Sequence, residues 1–371
     1  MTVVHRILAL MVKEFLTLMK DKFSRTVVIV PPLLQTLVFG YAASFDLNHV
    51  PFAVYNEDGG AAARALVAHF AGAPAFRQIT VIHRQVDIRP LIDDGDVLMV
   101  LHIGPQFGRK LALAEPAPLQ LVIDGRNSNT AAIALNYARS IVTSFNLQWA
   151  SDHGRGSPPA YVEARAWFNP NLESRWFFVP GIIGLLTLVV TMLVTALSVA
   201  REREQGTFDQ LLVTPMRPTE ILIGKALPGL IIGVLEGSAI MLIAVFWFHV
   251  PLLGNVLTLL TGLCLFLLSA IGVGLMISSL SVTLQQGLLG AFLFLVPAVI
   301  LSGFATPIAN MPKAVQLLTY LNPLRYFVVV LRDVFLEGTS FRLLVGQFWP
   351  MAVIGLVTLS VAGWLFRRRM Y

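Results

Sequence analysis

The chain has 371 residues, of which 56% are hydrophobic and only 13% charged, and its mean hydropathy is +0.73. This composition excludes an ordinary soluble domain and indicates a membrane protein. The basic excess, +6 overall, sits mostly beside or between apolar runs, which favours the cytoplasmic flanks of membrane spans over a nucleic-acid partner. Cys264 is the only cysteine, so neither an intrachain disulfide nor a thiolate metal cluster can form.

Residues 1–25 form a basic amphipathic segment. Apolar side chains recur on one helical face of this segment and basic side chains on the other. The pattern predicts a cytoplasmic interfacial helix that lies along the membrane surface. The apolar face carries Ile7, Met11, Phe15 and Leu18, and the basic face carries Arg6, Lys13 and Lys20.

Six apolar segments are long enough to cross a bilayer, which requires about 20 residues because lipid offers no partner for backbone polar groups. We therefore predict a mainly α membrane protein with six transmembrane helices in a 1+5 arrangement. Residues 176–371 hold the last five spans. The predicted spans are 26–44, 176–200, 226–249, 255–279, 286–305 and 346–366.

The distribution of basic residues predicts that both termini are cytoplasmic. Five Lys or Arg residues precede the first span, and Arg367, Arg368 and Arg369 follow the last. The long segment 45–175 is then outside. An alternative is a first span that is a cleaved signal peptide, although Pro31 and Pro32 within it are atypical of one.

Residues 45–175 alternate short β-rich runs with helical stretches, which predicts an extracytoplasmic α/β domain inserted between the first and second spans. Asn127 or Ser128 can cap its last helix, expected from about residue 129 to 149. Five of the seven histidines lie in this domain, but none has a metal-ligand spacing, so we expect no metal site. They are His49, His69, His83, His102 and His153.

Motifs for catalysis are absent from the sequence. Gly224-Lys225 continues with Ala226 and lacks the upstream glycine of a phosphate-binding loop, and no GxSxG or CxxC occurs. We therefore predict that the chain is not an enzyme, has no catalytic residues and binds no cofactor itself.

The segment 201–220, REREQGTFDQLLVTPMRPTE, follows the second span on the predicted cytoplasmic side. Phe208, Leu211 and Leu212 are spaced i, i+3 and i+4, which predicts that they share one helical face. An exposed apolar face on a polar segment favours a protein partner. The alternative is a helix that rests on lipid headgroups.

Glu236 lies within the third predicted span, between Gly233 and Gly237, which allow close helix approach. An acid at this depth is costly unless it faces a partner or water, so Glu236 is a candidate residue of the transport path. A structural hydrogen bond to a neighbouring helix is an equally weighted alternative.

Residues 306–345 contain too many prolines to span, and we predict short helices that dip into the outer leaflet. The helix expected after Pro323 carries Arg325 and Arg332 seven residues apart on one face. These charges could do no more than anchor the segment at the interface.

At these motifs the sequence resembles the ABC type 2 permease family, the transmembrane subunits of ATP-binding cassette exporters. Residues 202–220 are similar to that family's cytoplasmic coupling segment, and residues 322–338 to its motif before the last span. The 1+5 layout is similar to bacterial exporters with a large periplasmic domain. The resemblance implies ATPase-coupling residues Glu202, Arg203, Glu204, Gly206, Thr207, Phe208, Leu211 and Leu212, and a motif before the last span of Asn322, Pro323, Arg325, Arg332 and Gly338.

The resemblance also implies two permease copies, or two related chains, in the bacterial inner membrane. Each would sit on a separate ATPase subunit that binds ATP and Mg, and the complex would move a hydrophobic or amphipathic molecule outward. Membrane lipid and a periplasmic adaptor protein complete the expected partners. The alternatives are a secondary transporter, which should show inverted repeats, and a membrane-anchored periplasmic scaffold without ATP coupling.

Overall fold

The structure, a computed structural model, describes residues 3–42, 47, 49–154, 168–169, 173–208, 210, 213–214 and 216–368. The chain divides into two compact units. One consists of Met1–Ala43 and Ala166–Tyr371 and is helical, and the other is Ser44–Arg165 and contains a β-sheet.

The helical unit begins with α1 (Val3–Lys20) and α2 (Lys22–Ala42). The predicted apolar face of α1 packs within the unit. Leu18 is buried in a cluster with Val190 and Ile232, and Phe15 is half-buried against that cluster. Helix α2 continues through Pro31 and Pro32, and the Thr36 hydroxyl donates a hydrogen bond to the carbonyl of Pro32 (2.7 Å).

The second unit contains the alternation of strands and helices predicted for residues 45–175, and its last helix, expected from about residue 129 to 149, spans Ser128–Asp152. The sheet order is β2-β1-β3-β4, in which β1 runs parallel to β2 and β3, whereas β3 and β4 are antiparallel. In chain order the elements are β1 (Val50–Asn56), α3 (Ala61–Gly72), β2 (Phe76–Ile82), α4 (Ile88–Asp93), β3 (Met99–Ile103), α5 (Phe107–Leu113), β4 (Leu119–Ile123) and α6 (Ser128–Asp152).

Helices cover both faces of this sheet. Phe52 of β1 packs with Phe70 of α3 on one face, and α6 contributes Phe145 to the same core. On the other face, Tyr55 packs near Leu91 of α4. Of the two predicted caps for α6, Asn127 is the one used, because its side chain accepts a hydrogen bond from the backbone N–H of Thr130 (3.2 Å).

The remaining helices return to the helical unit. A π-helical turn, Asp333–Glu337, continues directly from α13. In chain order they are α7 (Ser174–Ala196), α8 (Ser198–Glu204), α9 (Pro218–Phe246), α10 (Val256–Leu280), α11 (Leu284–Ile300), α12 (Lys313–Thr319), α13 (Pro323–Arg332) and α14 (Phe341–Arg368).

Within the part of the chain that the structure describes, four stretches are long and apolar enough to cross a membrane: α7 with α8, α9, α10 and α14. Two bent pairs, α1 with α2 and α12 with the α13 segment, raise the number to six if each pair is one span. The chain is therefore a multi-pass membrane protein, mainly α with a small sheet.

The fifth predicted span, 286–305, is shorter in the structure. Helix α11 has 17 residues and ends at Ile300. The Ser302 hydroxyl then donates a hydrogen bond to the carbonyl of Val299 (2.7 Å), and Gly303 has a positive φ of 81°. This turn ends the helix because a left-handed backbone, which favours glycine, cannot continue it.

Glycines bring α9 close to α7. A Cβ atom added to Gly233 would lie 2.5 Å from the hydroxyl oxygen of Thr191, and one added to Gly237 would lie 3.1 Å from a methyl of Thr187. In lipid, helices associate through such close packing because lipid tails are as apolar as the side chains, so that no hydrophobic effect drives the helices together. The predicted close approach at Gly233 and Gly237 is confirmed.

Candidate functional site

Lys225, in the second turn of α9, has a completely buried side chain (0% exposed). Its ammonium nitrogen lies 3.0 Å from Glu14 Oε1 on α1 and 2.6 Å from Glu202 Oε2 on α8. It also donates a hydrogen bond to the hydroxyl of Ser198 (3.3 Å). A buried ammonium is tolerated when it is paired and hydrogen-bonded. These contacts join three helices at one point.

A second cation, Lys13 of α1, balances the charge at this point. Its ammonium donates hydrogen bonds to Glu14 (3.5 Å) and to Glu202. Two carboxylates therefore face two ammonium groups. We call Lys13, Glu14, Glu202 and Lys225 the charged cluster.

Arg6 adds a further ion pair between α1 and α9. Its guanidinium lies 3.2 Å from the carboxylate of Glu220, which is 4% exposed. Of the predicted basic face of α1, Arg6 and Lys13 thus bind acids of the chain itself. Through this pair and the charged cluster, α1 is fixed to both α8 and α9.

Arg203 and Glu204, at the end of α8, contact the connection between α10 and α11. The guanidinium of Arg203 donates hydrogen bonds to the carbonyls of Ser279 and Ser281, each at 3.0 Å. Glu204 accepts a hydrogen bond from the backbone N–H of Leu284 (2.6 Å). Arg203, a cation, thus satisfies carbonyls at the C-terminus of α10, and Glu204, an anion, satisfies an N–H at the N-terminus of α11. Both placements are the ones that the helix dipole favours.

Glu236 of α9 lines a cavity of about 250 Å³ between α1, α2 and α9. Both carboxylate oxygens are buried, and neither has a hydrogen-bond partner among the described residues. The other lining residues are apolar and include Phe15, Pro32 and Ile232. The structural hydrogen bond considered from the sequence is therefore not found in the described part of the chain.

The segment before the last span is held by Asn322. Its side chain accepts a hydrogen bond from the N–H of Leu324 (3.1 Å) and donates one to the carbonyl of Ala298 (2.6 Å). It caps α13, which begins at Pro323. Gly338 ends the segment with a positive φ of 67°.

The two arginines of this segment lie over aromatic rings. Arg325 is 4.0 Å from the ring centroid of Tyr320, and its guanidinium donates a hydrogen bond to Thr319. Arg332 lies 3.9 Å from the ring centroid of Phe177 on α7. Both contacts have the geometry of cation–π interactions.

In the sheet unit, His102 of β3 lies between two oxygen acceptors. Its Nε2 is 2.8 Å from Glu57 and its Nδ1 is 2.9 Å from Gln120. Burial lowers the pKa of His102, but these hydrogen bonds and the charge of Glu57 outweigh burial and raise the pKa above its ordinary value. The hydrogen bond from His102 is the largest cause that lowers the pKa of Glu57. Among the described residues, no group of three or more His, Cys, Asp or Glu could hold a metal ion.

Comparison with known proteins places this architecture in a family. Residues 22–364 match the model of the ABC-2 family transporter protein. The chain is 38% identical over 365 residues to the probable multidrug ABC transporter permease YbhR of Escherichia coli K12, covering 98% of this chain and 99% of YbhR. The chain belongs to the ABC-2 transporter family.

Two other Escherichia coli K12 permeases are similar along most of their length. The probable multidrug ABC transporter permease YbhS is 34% identical over 340 residues, which cover 90% of this chain and 89% of YbhS. The inner membrane transport permease YhhJ is 27% identical over 360 residues, 96% of each chain. Membership supports an ABC permease role, and the family implies an ATPase partner within the ABC system.

The permease's predicted coupling residues are only partly on its surface. The expectation that Phe208 belongs to an exposed docking face is wrong, because Phe208 is buried (8% exposed) and packs edge-on against Phe366 of α14 with ring centroids 6.0 Å apart. Glu202 is also buried. Thr207 donates its backbone N–H to the carbonyl of Glu202 (2.9 Å), and Gly206 has a positive φ of 68°. Leu211 and Leu212 lie outside the described residues.

Sequence reasoning missed Glu14 and Lys225 as partners. In the sequence, Lys225 stands out only in the Gly-Lys pair that lacks a phosphate-binding loop, and Glu14 lies among basic neighbours. A usable signal existed, since Glu14 interrupts an otherwise basic amphipathic helix and Lys225 borders an apolar run. Each needs an opposite charge if it is buried.

Proposed function

We propose that this chain is the transmembrane permease subunit of an ABC exporter in the bacterial inner membrane. It moves a hydrophobic or amphipathic molecule outward, and ATP is hydrolysed with Mg on a separate ATPase subunit. A second copy or a related permease completes the pathway. In this proposal the spans have the 1+5 arrangement, both termini are cytoplasmic, and residues 45–175 lie outside, where an adaptor protein could bind them.

The observation that carries this proposal is the attachment of α8 to the rest of the helical unit. Glu202 pairs with Lys225 of α9, and Glu204 binds the start of α11. A docked ATPase can move spans only if the segment that it contacts is firmly connected to them. Buried ion pairs and charge-assisted hydrogen bonds provide that connection, because breaking one leaves an unpaired charge.

The contact with the ATPase must then come from the exposed part of residues 201–220. Val213 is 85% exposed although it is apolar, and it lies in a mostly polar segment. We therefore assign Val213 to the docking surface in place of Phe208. Burial of a valine at an interface stabilises it by roughly 1.5–3 kcal/mol, and a carboxylate in its place adds a desolvation penalty.

Val213→Asp tests this assignment. The tagged chain is purified in detergent from membranes that contain its ATPase, and ATP hydrolysis per permease is measured. We expect Val213→Asp to lower hydrolysis by about tenfold or more. Val86→Asp is the matched control, because Val86 is also an exposed valine (70%) but belongs to the sheet unit. Equal hydrolysis in all three proteins would contradict docking through this segment.

A further inference from the structure

The cavity beside Glu236 has the composition of a ligand site rather than of a packing defect. Its lining comes from three helices, with Phe15 on α1, Ile29 and Leu33 on α2, and Ile232 on α9. Among the described residues, Glu236 is the only ionisable one that lines it. An apolar pocket with one polar group is typical of small-molecule sites, where the apolar walls supply affinity and the polar group supplies selectivity.

The burial of Glu236 without a partner in the described part of the chain indicates that the cavity binds a ligand. Both oxygens of Glu236 are buried without a hydrogen-bond partner among the described residues. A carboxyl group left in this condition destabilises the permease, whether it is charged or protonated. An acid within an apolar helix of a membrane protein is accordingly expected to face a partner or a transport path.

The rim of the cavity faces outward from the helical unit. Ile29 is 46% exposed, Leu33 36% and Leu235 62%, and all three are apolar. On helices that cross a bilayer, such exposed apolar side chains contact lipid tails. A ligand can therefore reach the cavity from the lipid phase without passing through water.

We propose that the cavity between α1, α2 and α9 binds a hydrophobic monocation, which enters from the lipid and pairs with Glu236. This proposal rests on the proposed exporter function and names the substrate class. A cation with an apolar body already partitions into the membrane, and in the cavity it neutralises the buried acid. The ring of Phe15, which lines the same cavity, is a second favourable contact for a cation.

Equilibrium binding of radiolabelled tetraphenylphosphonium tests the site. The purified full chain in detergent, without its ATPase, should bind one cation per chain in a saturable manner. Glu236→Gln should weaken binding by at least about tenfold, because it removes one member of a buried charge pair. Tetraphenylborate has the same shape and the opposite charge, so it should not compete. Glu115→Gln, which removes an exposed acid of the sheet unit, should bind as the wild type does.

Equal affinity in the wild type and Glu236→Gln, or competition by tetraphenylborate, would overturn the proposal. If Glu236→Gln is not monodisperse, Ala239→Phe takes its place, because it fills the cavity and keeps the acid. Loss of binding in Ala239→Phe supports the site, and unchanged binding overturns it. If the cation does not bind but ATP-driven transport is intact, the proposed site is contradicted and the proposed exporter function is not. If the cation binds but no ATP-driven transport is found, the site is supported and the exporter function is contradicted.

Discussion

The ammonium nitrogen of Lys225 and the carboxylate of Glu202 form an ion pair at 2.6 Å, with the lysine side chain fully buried. The two residues come from different helices. Glu202 belongs to the predicted coupling segment and lies on α8, whereas Lys225 lies on α9, which is long enough to span a membrane. Movement of α8 must therefore either move α9 or break this pair. Breaking it would take from each buried charge one of its two partners, since Lys225 would keep only Glu14 and Glu202 only Lys13.

Lys225→Met should destabilise the permease strongly. The change leaves Glu14 and Glu202 with only Lys13 between them, and removal of one partner of a buried ion pair typically costs about 3–5 kcal/mol. The midpoint of thermal unfolding in detergent measures this loss.

The control for Lys225→Met is Lys20→Met, which removes an exposed lysine of α1 and should leave the midpoint nearly unchanged. Addition of Glu202→Gln to Lys225→Met should restore part of the lost stability, because it removes the one negative charge that Lys13 alone cannot balance. A midpoint for Lys225→Met equal to that of the wild type would show that the charged cluster does not hold these helices together.

Gly233→Ala should separate α9 from α7. The new Cβ would lie 2.5 Å from the Thr191 hydroxyl oxygen and 2.8 Å from a methyl of Leu267, closer than atoms can pack. Overpacking of this kind costs about 1–3 kcal/mol. Gly346→Ala is the matched control on α14, because a Cβ there meets nothing within 4 Å.

At Gly346 the same substitution should stabilise the helix by up to about 1 kcal/mol, since alanine loses less backbone freedom than glycine. Thermal unfolding of both variants tests the pair. If they shift the midpoint equally, close contact between α7 and α9 is not what the glycine provides.

Much of the sheet unit could be predicted because its information is local. Alternating β-rich runs and helical stretches predicted a sheet with helices here, and Asn127, one of the two predicted caps of α6, is the cap used. The charged cluster could not be found in this way, since Glu14 and Lys225 are 211 residues apart in sequence. Helical spacing likewise placed Phe208 on a face but could not tell whether that face turns inward, which is decided by Phe366 of the last helix.

The pairing of His102 with Glu57 should make stability depend on pH. The pKa of His102 is raised in the folded protein, so its contribution is fully present below about pH 6.5 and is lost as the pH rises through the folded pKa. The pKa of Glu57 is lowered, so its contribution is present above about pH 4.5 and is lost as the pH falls through its folded pKa.

Thermal unfolding of the full chain at pH 5.5 and pH 8.5 measures this dependence. Relative to His102→Gln, the wild type should be more stable at pH 5.5 than at pH 8.5. If the difference in unfolding midpoint between the two proteins does not change with pH, the charge of the imidazole does not contribute to stability.

The proposed topology predicts opposite labelling of two exposed valines. In a Cys264→Ser background, Val86→Cys should react in spheroplasts with a membrane-impermeant maleimide. Val213→Cys should react only after the membrane is opened. Both side chains are well exposed, 70% and 85%, so a difference in labelling reports the side of the membrane and not burial. Labelling of Val213→Cys in intact spheroplasts would overturn the cytoplasmic placement of the coupling segment.

Movement of amphipathic fluorescent dyes in everted membrane vesicles tests most directly whether this permease is driven by a separate ATPase. Vesicles that contain both the chain and its ATPase should transport dye when ATP and Mg are added. Vesicles that lack either protein, or that receive a non-hydrolysable nucleotide, should not. Transport that needs the chain but neither ATP nor the ATPase would indicate a secondary transporter. Equal dye movement with and without the chain would contradict its role as the permease.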